Sequence, residues 1–183
     1  MPRYHTLGSI PPKRHTTFEK PDGSLYQEEL FGTAGFAGMS SLIYHLYPPT
    51  VVTEVKQIKD ISPKIARAKN MQALSFKGFS LEPEEDYIES RKVLFANNDL
   101  HIGLAAPKSF SKDYFYRNSD ADEMLFVHVG SGKLRTMYGN IDFKYGDYLI
   151  IPRGTTYQID FETENNRILF IESFSPITTP KRY

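Results

Sequence analysis

Glu123-Met-Leu-Phe-Val-His-Val-Gly130 and Gly146-Asp-Tyr-Leu-Ile-Ile-Pro152-Arg-Gly154-Thr-Thr-Tyr157 are the stretches whose reading decides the fold of this chain. In the first, a glutamate opens an apolar run that stops, after six residues, at a glycine. In the second, a glycine leads through five residues to a Pro-x-Gly corner. Strand alternation puts Leu125, Val127 and Val129 on one face and Met124, Phe126 and His128 on the other, so both faces expect at least partial cover. Gly130-Ser131-Gly132, Tyr145-Gly146-Asp147 and Pro152-Arg153-Gly154 have the composition of turns, pairing permissive glycine with fixed or locally bonded neighbours.

Outward from these stretches the chain reads as short strands: Met124 to Val129, Lys133 to Met137, Asn140 to Phe143, Tyr148 to Ile151, Tyr157 to Phe161 and Ile168 to Phe174. Tyr138-Gly139-Asn140 marks a hairpin turn. Upstream, Val93 to Phe95 and Leu100 to Leu104 flank the turn residues Asn97-Asn98-Asp99. Val51 to Val55 and Leu74 to Phe79 are further strand candidates. Ser62 followed by Pro63 predicts an N-cap and one helical turn reaching Lys69. The acidic run Glu82 to Glu89 reads as a solvated loop. Short strands at regular spacing, separated by turn residues, favour a mainly β fold, an antiparallel barrel or jelly roll with few short helices. Residues 1–50 are dense in proline and glycine and read as an extended segment of edge strands and turns, with Pro21-Asp22-Gly23 a turn. Residues 51–183 read as the barrel.

The 183 residues suit one domain, and 40% hydrophobic with 14% aromatic residues supply a core. Lys plus Arg and Asp plus Glu number 22 each, so no strong field for nucleic acid or an anionic membrane is implied. The absence of cysteine excludes disulfides and thiolate chemistry. With no apolar run long enough for a membrane span, a cytoplasmic location is the expectation. Lys13-Arg14-His15 is too short a cluster to be a nucleic-acid patch and reads as a packing or salt-bridging segment.

The spacing of Glu123, Gly130, Gly146, Pro152 and Gly154 resembles the two motifs of the cupin superfamily, whose small barrels usually hold a divalent metal between three histidines and a glutamate. Matched position by position, the glutamate is Glu123. The two preceding histidines fall among Tyr116, Arg117, Asn118 and Ser119, and Tyr157 stands where the third belongs. A lone carboxylate cannot satisfy a first-row metal, and an arginine beside the site would repel one. The expectation is a metal-free barrel with no catalytic and no metal-binding residue, Glu123 and Tyr157 persisting as vestigial positions that could hydrogen-bond to each other. His5, His15, His45, His101 and His128 show no ligand spacing among themselves.

A second resemblance spans nearly the whole chain. Ile10-Pro-Pro-Lys-Arg-His-Thr16, Pro21-Asp-Gly-Ser-Leu-Tyr26, Glu28-Glu-Leu-Phe-Gly32, Gly35-Phe-Ala-Gly38 and Ser40-Ser-Leu-Ile-Tyr-His45 resemble the start of the homogentisate 1,2-dioxygenase family. Ala121 to His128 and Gly146 to Tyr157 are similar to its N-terminal barrel. The resemblance implies Fe(II)-dependent ring cleavage of homogentisate with O2 to maleylacetoacetate, in tyrosine and phenylalanine breakdown. It also implies a homo-oligomer, a hexamer in that family, with an arm crossing between subunits. Its iron ligands belong to a C-terminal half, and family members run to about twice this length, so the expectation is a scaffold portion, inactive alone, that stops before a second barrel.

Three other readings stay open at this point: a free-standing metal-free cupin that binds a small molecule or a partner, a small metalloenzyme using Glu123 with His101 or His128, and a relative acting on a different aromatic acid. A severed portion would expose an apolar face and self-associate.

Overall fold

A computed structural model of the chain describes residues 17–35, 37–49, 51–66, 70, 72–110, 112–180 and 182. Lys13-Arg14-His15, His5 and the first resemblance motif lie outside them. The chain divides into two compact units, Met1–Ile61 and Ser62–Tyr183.

The first unit is built on an antiparallel hairpin, β1 (Gln27–Ala34) with β2 (Ala37–His45). The Pro21-Asp22-Gly23 turn precedes it: Gly23 takes φ +80°, and the Asp22 carboxylate accepts from both the amide and the hydroxyl of Ser24. Residues 51–66 carry no regular element, so the strand expected at Val51 to Val55 is absent, as is helix over residues 62–66; residues 67–69 lie outside the described set. Val52, Val55, Ile58 and Ile65 are all exposed, and with no pairing partner among the described residues β-branched composition does not make a strand.

The second unit is a sandwich. One sheet has the order β11 (Tyr148–Ile151), β8 (Asp122–Val129), β13 (Arg167–Ser173), β5 (Leu100–Ala105), β4 (Lys92–Ala96). The other has the order β10 (Gly139–Phe143), β9 (Gly132–Thr136), β12 (Thr156–Phe161), β7 (Tyr116–Arg117). Every pairing within these two sheets is antiparallel. A short parallel pair, β3 (Glu84–Asp86) with β6 (Pro107–Ser109), stands apart. Leu125, Val127, Ile151, Ile168 and Phe170 from the first sheet pack with Leu134, Phe143, Tyr157 and Ile159 from the second in one core. The described sheets share no strand, so the cupin-like fold is an open jelly-roll sandwich rather than a closed barrel.

Eight of the expected strands appear within one or two residues of their sequence limits, because turn chemistry fixes their ends. At Pro152-Arg153-Gly154 the Gly154 backbone turns with φ +80°, and its amide donates to the Asn118 carbonyl at 2.7 Å. The expected face alternation on β8 is also observed: Leu125 and Val127 are buried while Phe126 is half-buried. The outer face is partly covered by the segment before β3, where Phe76 meets Phe95 and Phe79 meets His128 edge-on. That segment holds a 3-10 turn, Gly78–Ser80, instead of the strand expected from Leu74 to Phe79.

The acidic run is not a solvated loop. It forms β3 and a single helical turn, α1 (Tyr87–Ser90), capped by the Asp86 carboxylate accepting from the Ile88 amide. The carboxylates face outward to neighbours, Glu84 to Lys92 and Glu85 to Lys108, both at 2.6 Å. Tyr87 between them is fully buried. Charge at the flanks concealed one large apolar residue whose burial holds the segment down.

Candidate functional site

Glu123 lies on β8 on the inward face shared with Leu125 and Val127, and only 1% of it is exposed. Register places it opposite Glu172 of β13, which in turn lies opposite His101 of β5. Three ionisable residues therefore stand in one row across three adjacent strands. Two carboxylates directly opposite each other repel, and the fold supplies the compensating charge from elsewhere.

That charge is Arg91, the residue that ends α1 and opens toward β4. Its Nη2 reaches Glu172 Oε1 at 2.7 Å and its Nη1 lies 3.6 Å from Glu123 Oε1. Nη1 also donates to the Tyr116 hydroxyl at 3.1 Å. The guanidinium carbon stands 4.3 Å from the centroid of Phe170, so a π-face supports the cation where water is excluded. From the opposite sheet, the Tyr157 hydroxyl donates to Glu123 Oε2 at 3.0 Å, forming the polar pair expected from the sequence. The Asn118 amide donates to Glu172 Oε1 at 2.9 Å, and His101 Nδ1 lies 3.4 Å from Glu172 Oε2. Tyr87 Oη, Arg91 Nε and Glu123 Oε1 are buried with no hydrogen-bond partner.

The electrostatics follow from burial. Desolvation pushes the Glu123 carboxyl above the ordinary glutamate range; Arg91 and the Tyr157 hydroxyl oppose that rise, and the neighbouring Glu172 adds to it. Burial works against the Arg91 charge, but Tyr87, Glu123, Glu172 and Tyr116 outweigh it and hold the guanidinium firmly protonated. Burial raises the Tyr116 phenol to about 12 and lifts Tyr87 and Tyr157 further, so all three remain neutral hydrogen-bonding groups.

These residues do not fit a cupin metal. Glu123 has one oxygen bonded to Tyr157 and the other facing a guanidinium, and no group of three or more His, Asp or Glu capable of holding a metal occurs among the described residues. His128 lies against Phe79, Phe126 and Tyr145 on the outer face of the sheet, away from Glu123. His45 pairs with Glu29 on the first-unit hairpin at 2.8 Å.

Arg117, the cation that sequence spacing put at the site, is exposed, and its Nε donates to Thr156 Oγ1 at 2.8 Å. Its neighbours Tyr116 and Asn118 reach the cluster instead, as alternation on an extended segment requires. Glu172, Arg91 and Tyr87 were missed. For Glu172 a signal existed: it falls at the same parity as Ile168 and Phe170 in an apolar strand, an acidic residue in a core position. Nothing in the sequence near Arg91 pointed to the site.

Below this cluster, Asp122 ties the sandwich to its corner. Its Oδ1 accepts from the Arg153 amide at 3.0 Å and its Oδ2 from the Ile177 amide at 2.7 Å. Arg153 Nη2 donates to the Phe174 carbonyl at 3.2 Å.

A family model described as homogentisate 1,2-dioxygenase N-terminal matches residues 4–181. The chain belongs to that family. A protein of Saccharolobus solfataricus named "Putative dioxygenase" is 40% identical over 98% of this chain and 46% of its own length. The homogentisate 1,2-dioxygenase of Dictyostelium discoideum is 27% identical over 85% of this chain and 39% of its own length. Among solved structures, a cupin-2 domain protein from Shewanella frigidimarina aligns with 52% of this chain and 87% of that one, at 25% identity and a TM-score of 0.43. The chain thus spans less than half the length of these two curated relatives. No helix among its described residues is long and apolar enough to cross a membrane.

Proposed function

We propose that this chain is the N-terminal scaffold portion of an Fe(II)-dependent aromatic ring-cleaving dioxygenase, with homogentisate and O2 as substrates and maleylacetoacetate as product. The family match over residues 4–181 supports the family chemistry, and the Glu123 cluster supports a scaffold role for this half. The one cupin ligand that survives is held by Tyr157 and Arg91, so iron and the groups that move protons lie in the part of the relatives that this chain does not span.

The residues on hand act structurally in this reading. They fix the sandwich and present surface to the rest of a homo-oligomer in the cytoplasm. Exposed Val52, Val55, Ile58 and Ile65 on an extended segment are the kind of apolar surface that subunit contacts cover. The substrate meets none of the Glu123 cluster.

The test is the product of the native gene. Its intact mass, iron content and homogentisate-dependent O2 uptake are measured on one preparation. A mass near double the 21.0 kDa of this chain, bound iron and O2 uptake with homogentisate support the proposal. A product of this length, free of iron and inert to homogentisate, overturns it in favour of a free-standing metal-free cupin. Uptake with another aromatic acid but not homogentisate refutes the substrate and retains the scaffold role.

A further inference from the structure

An antiparallel sheet that meets water on one face carries polar residues on that face, and the five-stranded sheet departs from this rule. Its inner face supplies the core. On its outer face, register sets Ile150, Met124, Ile171, Ile102 and Phe95 in one unbroken apolar row across β11, β8, β13, β5 and β4. The next row runs Tyr148, Phe126, Leu169 and Leu104, and reaches a charge only at Lys92, which is paired with Glu84. We propose that the β11–β8 half of this outer face is the docking surface for the part of the polypeptide that follows residue 183 in the full-length protein. The proposal rests on the reading of this chain as the N-terminal portion of a longer dioxygenase, and adds where the remaining portion packs.

The other half of the face is covered locally. Phe76 meets Phe95 edge-on with ring centroids 5.3 Å apart, and a Cβ added at Gly78 would stand 2.8 Å from Leu104 Cδ1, so the 3-10 turn lies directly on β5. On the β11 side the cover is thin. Tyr148 is 62% exposed and Ile150 44%, with Tyr145 exposed at the turn before them. β11 is also the end strand of its sheet, and its outer edge pairs with no strand among the described residues. Apolar side chains contiguous over neighbouring strands, next to an open edge, mark a surface that another segment covers.

The occupant is indicated by the path of the chain as it leaves the sandwich. Asp122 shares strand parity with Met124 and Phe126, so it ends the outer-face row of β8. Its Oδ2 accepts from the Ile177 amide at 2.7 Å, and the Phe174 carbonyl accepts from Arg153, just beyond the end of β11. The outgoing segment is therefore fastened to the outer-face end of β8, beside the strand whose side chains are exposed. More than half the length of the two curated relatives lies outside the portion that matches this chain, and the matching family model is the N-terminal one. Polypeptide tethered within a few residues of an apolar face meets it at an effective concentration on the order of millimolar, an advantage that a second copy in solution lacks.

The experiment uses the full-length protein from the native gene, carrying Tyr148→p-benzoylphenylalanine. It is irradiated, separated on a denaturing gel, and its crosslinked peptides are identified by mass spectrometry. A crosslink at monomer mass to a residue beyond 183 is expected. A crosslink at dimer mass makes a second copy the occupant and overturns the proposal. Crosslinks confined to residues 1–183, or recovery of the protein uncrosslinked, overturn it as well. If that variant does not accumulate as folded protein, Tyr145→p-benzoylphenylalanine, at the turn before β11, probes the same face with the same outcomes.

Intact mass and homogentisate-dependent O2 uptake of the unmodified protein separate this inference from the reading beneath it. A crosslink beyond residue 183 without uptake retains the interface and refutes the activity. Uptake with the crosslink elsewhere retains the activity and refutes the interface. A product of 21.0 kDa ends both.

Discussion

Tyr157→Phe removes one oxygen from the interior and tests whether Glu123 is held there as a charged group. The phenol donates to Glu123 Oε2 at 3.0 Å with both residues buried, and Phe fills the same space, so cavity formation is negligible. What is lost is a hydrogen bond to a carboxylate, about 1.5–3 kcal/mol when the acceptor is ionised and about 1 kcal/mol when it is neutral. The bond favours the charged form of Glu123, so its loss raises an already elevated pKa. The variant's deficit should therefore widen as pH rises: about 1 kcal/mol while the carboxyl is protonated and about 2–3 kcal/mol once it is ionised. For a chain of this size that upper figure corresponds to a fall in Tm of roughly 4–12 °C.

Urea unfolding of wild type and Tyr157→Phe at three pH values, with equal m-values required, reads the difference directly. A deficit under about 0.5 kcal/mol at pH 8 would mean that Glu123 takes little from Tyr157. A deficit that shrinks with rising pH would reverse the sign of the argument and refute it.

Glu123→Gln keeps an acceptor for Tyr157 and removes the charge. Because burial holds the folded Glu123 carboxyl above the ordinary glutamate range, the stability that it contributes is fully present below that range and falls as pH rises through the folded pKa. Paired denaturation curves from pH 4 to 8 should show the variant gaining on wild type across that window, and a difference flat with pH would contradict it. Gly103→Ala should destabilise by about 1–3 kcal/mol, since the added Cβ would lie 2.3 Å from the Phe170 ring and 2.4 Å from the Lys92 carbonyl; a thermal melt unchanged within error would show that β4 can move aside. Asp122→Ala leaves the amides of Arg153 and Ile177 without their acceptor, at a cost of about 2 kcal/mol, and hydrogen exchange should speed at both amides while β9 and β10 stay protected. Equal exchange everywhere would mean that the corner is not a separate unit.

Local pattern carried most of the second unit. β8, β11 and the Pro-x-Gly corner were legible because alternation and turn residues act within a few positions, and the same rules set the hairpin around Asn97 to Asp99. Where a segment's partner decides its state, the sequence failed. Val51 to Val55 has strand composition but pairs with no strand among the described residues, whereas Glu82 to Glu89 has loop composition and is held by buried Tyr87. Pairing and burial are properties of two segments at once, and composition describes only one.

The site shows the same division more sharply. Motif spacing located Glu123 and Tyr157 because both occupy fixed positions relative to local turns. It also put Arg117 beside the site, because that residue falls among the positions where the two preceding histidines are expected. On an extended strand the side chain of residue 117 faces away from the interior that 116 faces, and its guanidinium bonds Thr156 in the solvent layer. The interior is instead neutralised by Arg91, delivered from the end of a helical turn that composition had assigned to solvent. The two errors are therefore linked: misreading the acidic run as a loop removed from view the element that carries the buried charge. A carboxylate read at a core position implies a compensating group somewhere in the chain, and the search for it has to follow strand adjacency, which brought Glu172 and His101 beside Glu123, instead of distance in sequence.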